Sequence, residues 1–85
     1  MTKVVVYTKD GCHLCENVIS ELEKMRVGGR FDLATQDITQ DSNLFERYKN
    51  IIPVVCIDGN LKLAGATLSN PRNMNEVLRR AIFNT

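Results

Sequence analysis

Val4-Val5-Val6-Tyr7-Thr8-Lys9-Asp10-Gly11-Cys12-His13-Leu14-Cys15-Glu16 is the stretch that decides the fold. Its first half, from Lys3 to Thr8, is β-branched and nearly all apolar, which predicts a central strand buried on both faces. From Cys12 onward the pattern changes. Cys15, Val18, Ile19, Leu22 and Met25 recur at three- and four-residue steps, while Glu16, Asn17, Ser20, Glu21, Glu23 and Lys24 fill the other positions. That is the period of an amphipathic helix with one buried face. A strand is therefore followed, across a tight Asp10-Gly11 turn, by two cysteines three apart at a helix start. Asp10 is a residue type that caps helices.

Working outward, Gly28-Gly29 ends the helix. Phe31, Leu33 and Ile38, with Ala34 and Thr35 between, predict a second strand, and the interruptions at Asp32, Gln36 and Asp37 suit a sheet edge. Asp41 or Ser42 caps a short helix with Leu44, Phe45, Tyr48 and Ile51 on its apolar side. Pro53 opens the buried run Val54-Val55-Cys56-Ile57, where the first strand residue need not donate to a ladder. Asp58-Gly59-Asn60 is a turn, and Leu61, Leu63 and Gly65 close a hairpin. Asn73 and Glu76 are spaced as a capping box for a last helix striped by Met74, Val77, Leu78, Ala81 and Ile82. Residues 66–70 carry no readable pattern.

The predicted order is strand, helix, strand, helix, strand, strand, helix. A helix between the first two strands makes them parallel through a right-handed crossover, and the tight turn makes the last two antiparallel. Helices cover both faces of one mixed four-stranded sheet.

Eighty-five residues suffice for a single domain, 1–85, and one core. The hydrophobic fraction of 44% and charged fraction of 25% are those of a globular protein. Basic residues exceed acidic ones by one, 11 against 10, so no strong field attracts nucleic acid or an anionic membrane. No window reaches transmembrane length, and the N-terminus lacks the layout of a secretory signal. The expectation is a cytoplasmic monomer. Three cysteines are too few for a secreted disulfide framework, and in a reducing compartment a close pair means redox chemistry or metal.

Only a thiolate attacks a disulfide, and a free thiol is only ~3% thiolate at pH 7. Cys12 stands where the first helical turn leaves its N–H groups unpaired, so these donors and the helix dipole stabilise the charged sulfur. A hundredfold gain in thiolate needs about 2.7 kcal/mol, within reach of one charge-assisted hydrogen bond (~1.5–3) and a dipole contribution of ~0.3–1. Cys15 lies one turn further along the same face and is placed to resolve a mixed disulfide on Cys12. Lys9 and His13 add positive charge nearby, and Asp10 opposes it. Cys56 reads as a small core side chain. Arg26 with Arg30, and Arg79-Arg80, read as solvated faces.

Tyr7-Thr8-Lys9-Asp10-Gly11-Cys12-His13-Leu14-Cys15, then Asp37-Ile38, Ile52-Pro53-Val54-Val55 and Asp58-Gly59 resemble, in order and over nearly the whole chain, the small glutaredoxin-like proteins of the thioredoxin superfamily. The resemblance implies an α/β thioredoxin-like fold, βαβαββα, with sheet order 2-1-3-4 flanked by three helices. It implies a thiol–disulfide oxidoreductase whose catalytic pair is Cys12 and Cys15. It also implies a cis Ile52–Pro53 bond beside the disulfide, with the Ile52 backbone pairing to the substrate, and a substrate groove that adds Lys9, His13 and Leu14. Its substrates would be protein or small-thiol disulfides, and its electron donor glutathione or a reductase, with no bound cofactor. Two features depart from the pattern. His13-Leu14 replace the usual Pro-Tyr, and Gly65-Ala66-Thr67-Leu68-Ser69-Asn70 lacks the acidic residue of the stretch that binds the γ-glutamyl carboxylate. Two other classes stand beside the enzyme: a non-catalytic binding module, and a zinc or iron–sulfur carrier using Cys12 with His13, Cys15 or Cys56.

Overall fold

The computed structural model describes residues 2–29 and 31–83. Arg30 lies outside these. Four strands, β1 (Thr2–Thr8), β2 (Phe31–Asp37), β3 (Val54–Ile57) and β4 (Leu61–Leu63), form one sheet in the order β2-β1-β3-β4. β1 runs parallel to β2, with Val4 opposite Leu33 and Thr8 opposite Asp37. It runs antiparallel to β3, with Tyr7 opposite Val54. The buried Val-rich runs thus take the two central places, and the polar-interrupted strand takes an edge, as its composition predicts.

Around the sheet are α1 (His13–Gly28), α2 (Ser42–Tyr48), α3 (Gly65–Leu68) and α4 (Pro71–Phe83), with a 3-10 turn at Ile38–Gln40. α1, α2 and α4 are the three expected helices; α3 is an additional single turn. Val4, Val6, Val55 and Ile57 on one sheet face pack with Val18, Leu22 and Met25 of α1 and Met74, Leu78 and Ile82 of α4. On the other face Val54 packs with Ile38 and Tyr48, and Tyr7, Leu44, Phe45 and Ile52 border them. The Tyr7 and Tyr48 rings stack at 4.8 Å. Alternation along β1 sends Val4 and Val6 to one side and Tyr7 to the other, which is why one strand serves both cores.

Local chemistry corrects several sequence expectations. The N-cap of α1 is Cys12, not Asp10. Asp41 rather than Ser42 caps α2, its Oδ1 accepting from the N–H groups of Asn43 at 2.8 Å and Leu44 at 3.3 Å. α2 ends at Tyr48, so Ile51 leaves the apolar side and is 43% exposed. Ile38 sits in the 3-10 turn rather than in β2, yet is fully buried. Gly65 begins α3 instead of closing the hairpin. α4 starts at Pro71, two residues before Asn73, because Asn70 Oδ1 accepts from the Arg72 N–H at 3.0 Å and a proline fits a first helical position. At the end of α1, Gly29 is extended (φ −113°), not left-handed. Its glycine is required by close approach, since a Cβ there would stand 2.7 Å from the Phe83 ring and 2.9 Å from the Met25 carbonyl oxygen. At the Asp58-Gly59 turn both residues have positive φ, 53° and 75°, the conformation a tight hairpin demands.

Candidate active site

Strand pairing gathers the candidate residues at one end of the sheet. Because Tyr7 lies opposite Val54, the loop leaving β1 toward Cys12 and the loop bringing Ile52-Pro53 into β3 emerge side by side. β4 runs back to the same end, delivering Ala64 and Gly65. In such sheets the crevice outside the carboxyl ends of the parallel strands is where ligands bind.

Between β1 and α1 the chain turns at Gly11, whose φ of +81° is one that glycine adopts without strain. Cys12 follows as N-cap. Its sulfur accepts the Cys15 N–H at 3.2 Å, and its carbonyl accepts the Glu16 N–H at 3.1 Å, the first bond of the helix. Cys12 is half-buried and Cys15 fully buried. Their Cα atoms are 5.2 Å apart and the sulfurs are at disulfide-bonding distance. One sulfur is thus half-open to the surface and the other held, fully buried, one helical turn behind it.

The remaining predicted residues differ in how far they reach this end. Lys9 and Asp10 are exposed on the loop. The His13 side chain is 95% exposed and turns along the helix, its Nδ1 3.8 Å from Glu16 Oε2. Leu14 is half-buried against the main core, so its side chain also anchors the start of α1. Pro53 is fully buried, and the Ile52–Pro53 bond is cis. Ile52 is half-buried on the second core. Cys56 is buried in the middle of β3, opposite Val5 of β1 and Lys62 of β4. Among the described residues no three His, Cys, Asp or Glu side chains converge as metal ligands would. No helix among them is long and apolar enough to cross a membrane.

Two features of this end were not anticipated from sequence. Asp37, which ends β2 opposite Thr8, accepts from the Thr39 hydroxyl at 2.6 Å and the Thr39 N–H at 2.8 Å. These bonds hold its carboxyl below the ordinary range, the hydroxyl contributing most. An Asp-x-Thr spacing after a strand would have signalled this local turn. The second is Gly65, whose N–H donates to the Ile51 carbonyl at 2.9 Å.

Known proteins resemble this chain. The family model described as a glutaredoxin-like domain matches residues 3–83. Protein Ne2328 from Nitrosomonas europaea, solved by solution NMR, is 31% identical over 74% of this chain and 75% of its own, with a TM-score of 0.63. The X-ray structure of protein XcR50 from X. campestris aligns at 24% identity, covering 88% of this chain and 93% of that one, with a TM-score of 0.62. A mutant thioredoxin from Halobacterium salinarum aligns at 16% identity over 92% of this chain and 72% of its own, with a TM-score of 0.66, a likeness of fold. No protein of curated function matches the sequence. The sheet order, the Cys12–Cys15 pair at disulfide distance and a family match spanning 3–83 lead to one assignment: the chain belongs to the family of glutaredoxin-like domains, with a thioredoxin-like fold.

Proposed function

We propose that this protein is a thiol–disulfide oxidoreductase that reduces or exchanges disulfides of proteins or small thiols through Cys12 and Cys15. The observation that carries the reading is the pair itself: a half-buried Cys12 sulfur facing a helix-start N–H, with the Cys15 sulfur at bonding distance behind it. The Cys12 thiolate attacks one sulfur of the substrate disulfide. The S–S bond breaks and its other half leaves as a thiolate that takes up a proton. The Cys15 thiol then gives its proton to the second leaving thiolate as its sulfur attacks the Cys12 sulfur of the mixed disulfide. The substrate departs fully reduced and the Cys12–Cys15 disulfide remains. A dithiol reductase or two molecules of glutathione return the two electrons.

In this reading the Ile52 backbone, set by Pro53, pairs with the substrate's cysteine segment, while Lys9, His13 and Leu14 border it. The exposure of Lys9 and His13 at this sheet end supports placing them at the rim. The protein works as a cytoplasmic monomer, where a reducing pool keeps the cycle running.

The test couples disulfide reduction in parallel to glutathione with its reductase and to thioredoxin reductase, and adds Cys15→Ser with a cysteine peptide disulfide. Turnover with one couple and a trapped mixed disulfide on Cys12 are expected. No turnover with either couple and no trapped adduct would overturn the proposal. A binding module or metal carrier would then be separated by stoichiometric zinc or iron that Cys12→Ser removes.

A further inference from the structure

A cavity of about 420 Å³ opens where α1 and α4 end, lined by Lys24, Met25, Gly28 and Gly29 on one side and Arg79 and Phe83 on the other. Its volume lies within the ~300–1,000 Å³ of small-molecule sites. Gly28 is the last residue of α1, so the cavity lies about 24 Å along the helix from Cys12. Nothing in it depends on either bonded cysteine.

One wall is an aromatic surface held in place. The Phe83 ring meets Phe31 edge-on at 5.9 Å and lies against Gly29, where a Cβ would stand 2.7 Å from it. Phe83 nevertheless stays 46% exposed, which leaves ring surface for a ligand to stack on. The other wall is cationic. Lys24 and Arg79 come from different helices and are joined by a chain of polar contacts. Lys24 Nζ lies 3.7 Å from Glu21 Oε1, Glu21 Oε2 accepts from Asn75 Nδ2 at 3.2 Å, and Asn75 Oδ1 accepts from Arg79 Nε at 2.8 Å. That last bond uses one of the five guanidinium N–H donors and orients the remaining fork. Among the described residues no carboxylate pairs with Arg79, and Glu21 lines the neighbouring smaller cavity rather than this one. The two helix ends bring partial negative charge, which a full guanidinium and a full ammonium outweigh. A forked cation beside an open ring face selects an oxyanion carried on a flat body.

We propose that this cavity is a second binding site, for a small organic anion that joins a planar ring to a carboxylate or phosphate. The ring stacks on Phe83 and the oxyanion bridges Arg79 and Lys24. Glu21 gives up Lys24 readily, since their contact is exposed to solvent.

The test follows amide resonances of the isotope-labelled full chain as naphthoate, adenosine monophosphate, neutral adenosine and inorganic phosphate are added in turn. The Lys24, Gly28, Gly29 and Phe83 amides shift with the ring anions, and the tighter of the two identifies the anionic group. Adenosine and phosphate each bind about tenfold more weakly, because each lacks half of what the cavity recognises. Arg79→Gln weakens the better ligand by about tenfold or more, the loss of a charge-assisted pair, and Lys24→Gln weakens it severalfold. Four results would each overturn the proposal: no shift at these amides with either ring anion, equal binding of adenosine or phosphate, unchanged affinity in Arg79→Gln, or shifts confined to Cys12 and its neighbours. Both cations are exposed, so the variants should fold. Should Arg79→Gln fail to do so, unchanged affinity in Lys24→Gln overturns it instead.

Discussion

The reactivity of Cys12 can be worked out from its surroundings. Its sulfur accepts one backbone N–H at 3.2 Å and stands at the N-terminus of a 16-residue helix. A hydrogen bond to a charged group contributes ~1.5–3 kcal/mol and the helix terminus ~0.3–1. The site is half-open to water and the exposed Asp10 and Glu16 carboxylates oppose a second negative charge, so the lower end of the combined range, about 2 kcal/mol, is the appropriate value. That raises the thiolate-to-thiol ratio roughly thirtyfold, from ~3% thiolate at pH 7 for a free cysteine to about half. The measurement is iodoacetamide alkylation of reduced Cys15→Ser against pH, beside an unstructured cysteine peptide. The folded profile should lie to the acid side of the peptide's, return to it in denaturing urea, and change little with salt, because the short hydrogen bond outweighs the screened dipole. Cys56 is buried and provides a slow background that Cys56→Ala removes. Superimposable profiles for folded protein and peptide would show that the helix start does not activate Cys12, and the argument from the cap would fail.

Two further outcomes follow from packing and capping. Leu22→Ala, at a fully buried position between α1 and the sheet, should lower unfolding free energy by about 2–5 kcal/mol in urea with the dependence on denaturant unchanged. Asp37→Asn tests the turn at the end of β2. A carboxyl held below its ordinary range stabilises the fold above the unfolded-state value and loses that contribution as pH falls through the folded one. Wild type should therefore lose stability relative to Asp37→Asn on acidification through the carboxylate range, and identical acid-side slopes would refute the role of the Thr39 bonds.

What the sequence reveals about the fold is what long apolar patterns encode. β1, β3 and α1 are visible because seven, four and sixteen residues respectively keep one period or one composition. Asp32, Gln36 and Asp37 interrupt β2 in a way an edge strand tolerates, and β2 lies at an edge. α3 was not visible because Gly65–Leu68 is too short to show a helical repeat, and its only apolar anchor is Leu68. The start of α4 was misplaced because the Asn73/Glu76 spacing imitates a capping box, whereas Asn70 followed by Pro71 carried the stronger signal. Asp10 looked like a cap by residue type, but Gly11 turns the chain so that the sulfur of Cys12, not a carboxylate, meets the helix start.

The same distinction explains the site. The cysteine pair was legible because its chemistry depends on spacing within one helix, and spacing is what a sequence states. Residue types could not show that the exposed His13 side chain lies 3.8 Å from Glu16, since exposure and rotamer are set by what lies around the helix. Nor could they show that Gly65 touches Ile52 across thirteen positions, because that contact arises only when β4 returns the chain to the end where β3 began. Spacing thus finds the cysteine pair, and topology finds the backbone that is brought to the same end of the sheet. On this fold Gly65 packs closest against the Ile52 carbonyl group, which joins Ile52 to the buried Pro53, while its N–H holds the Ile51 carbonyl. Changes there should alter which disulfides are used, while changes around Cys12 should alter how fast any disulfide is attacked.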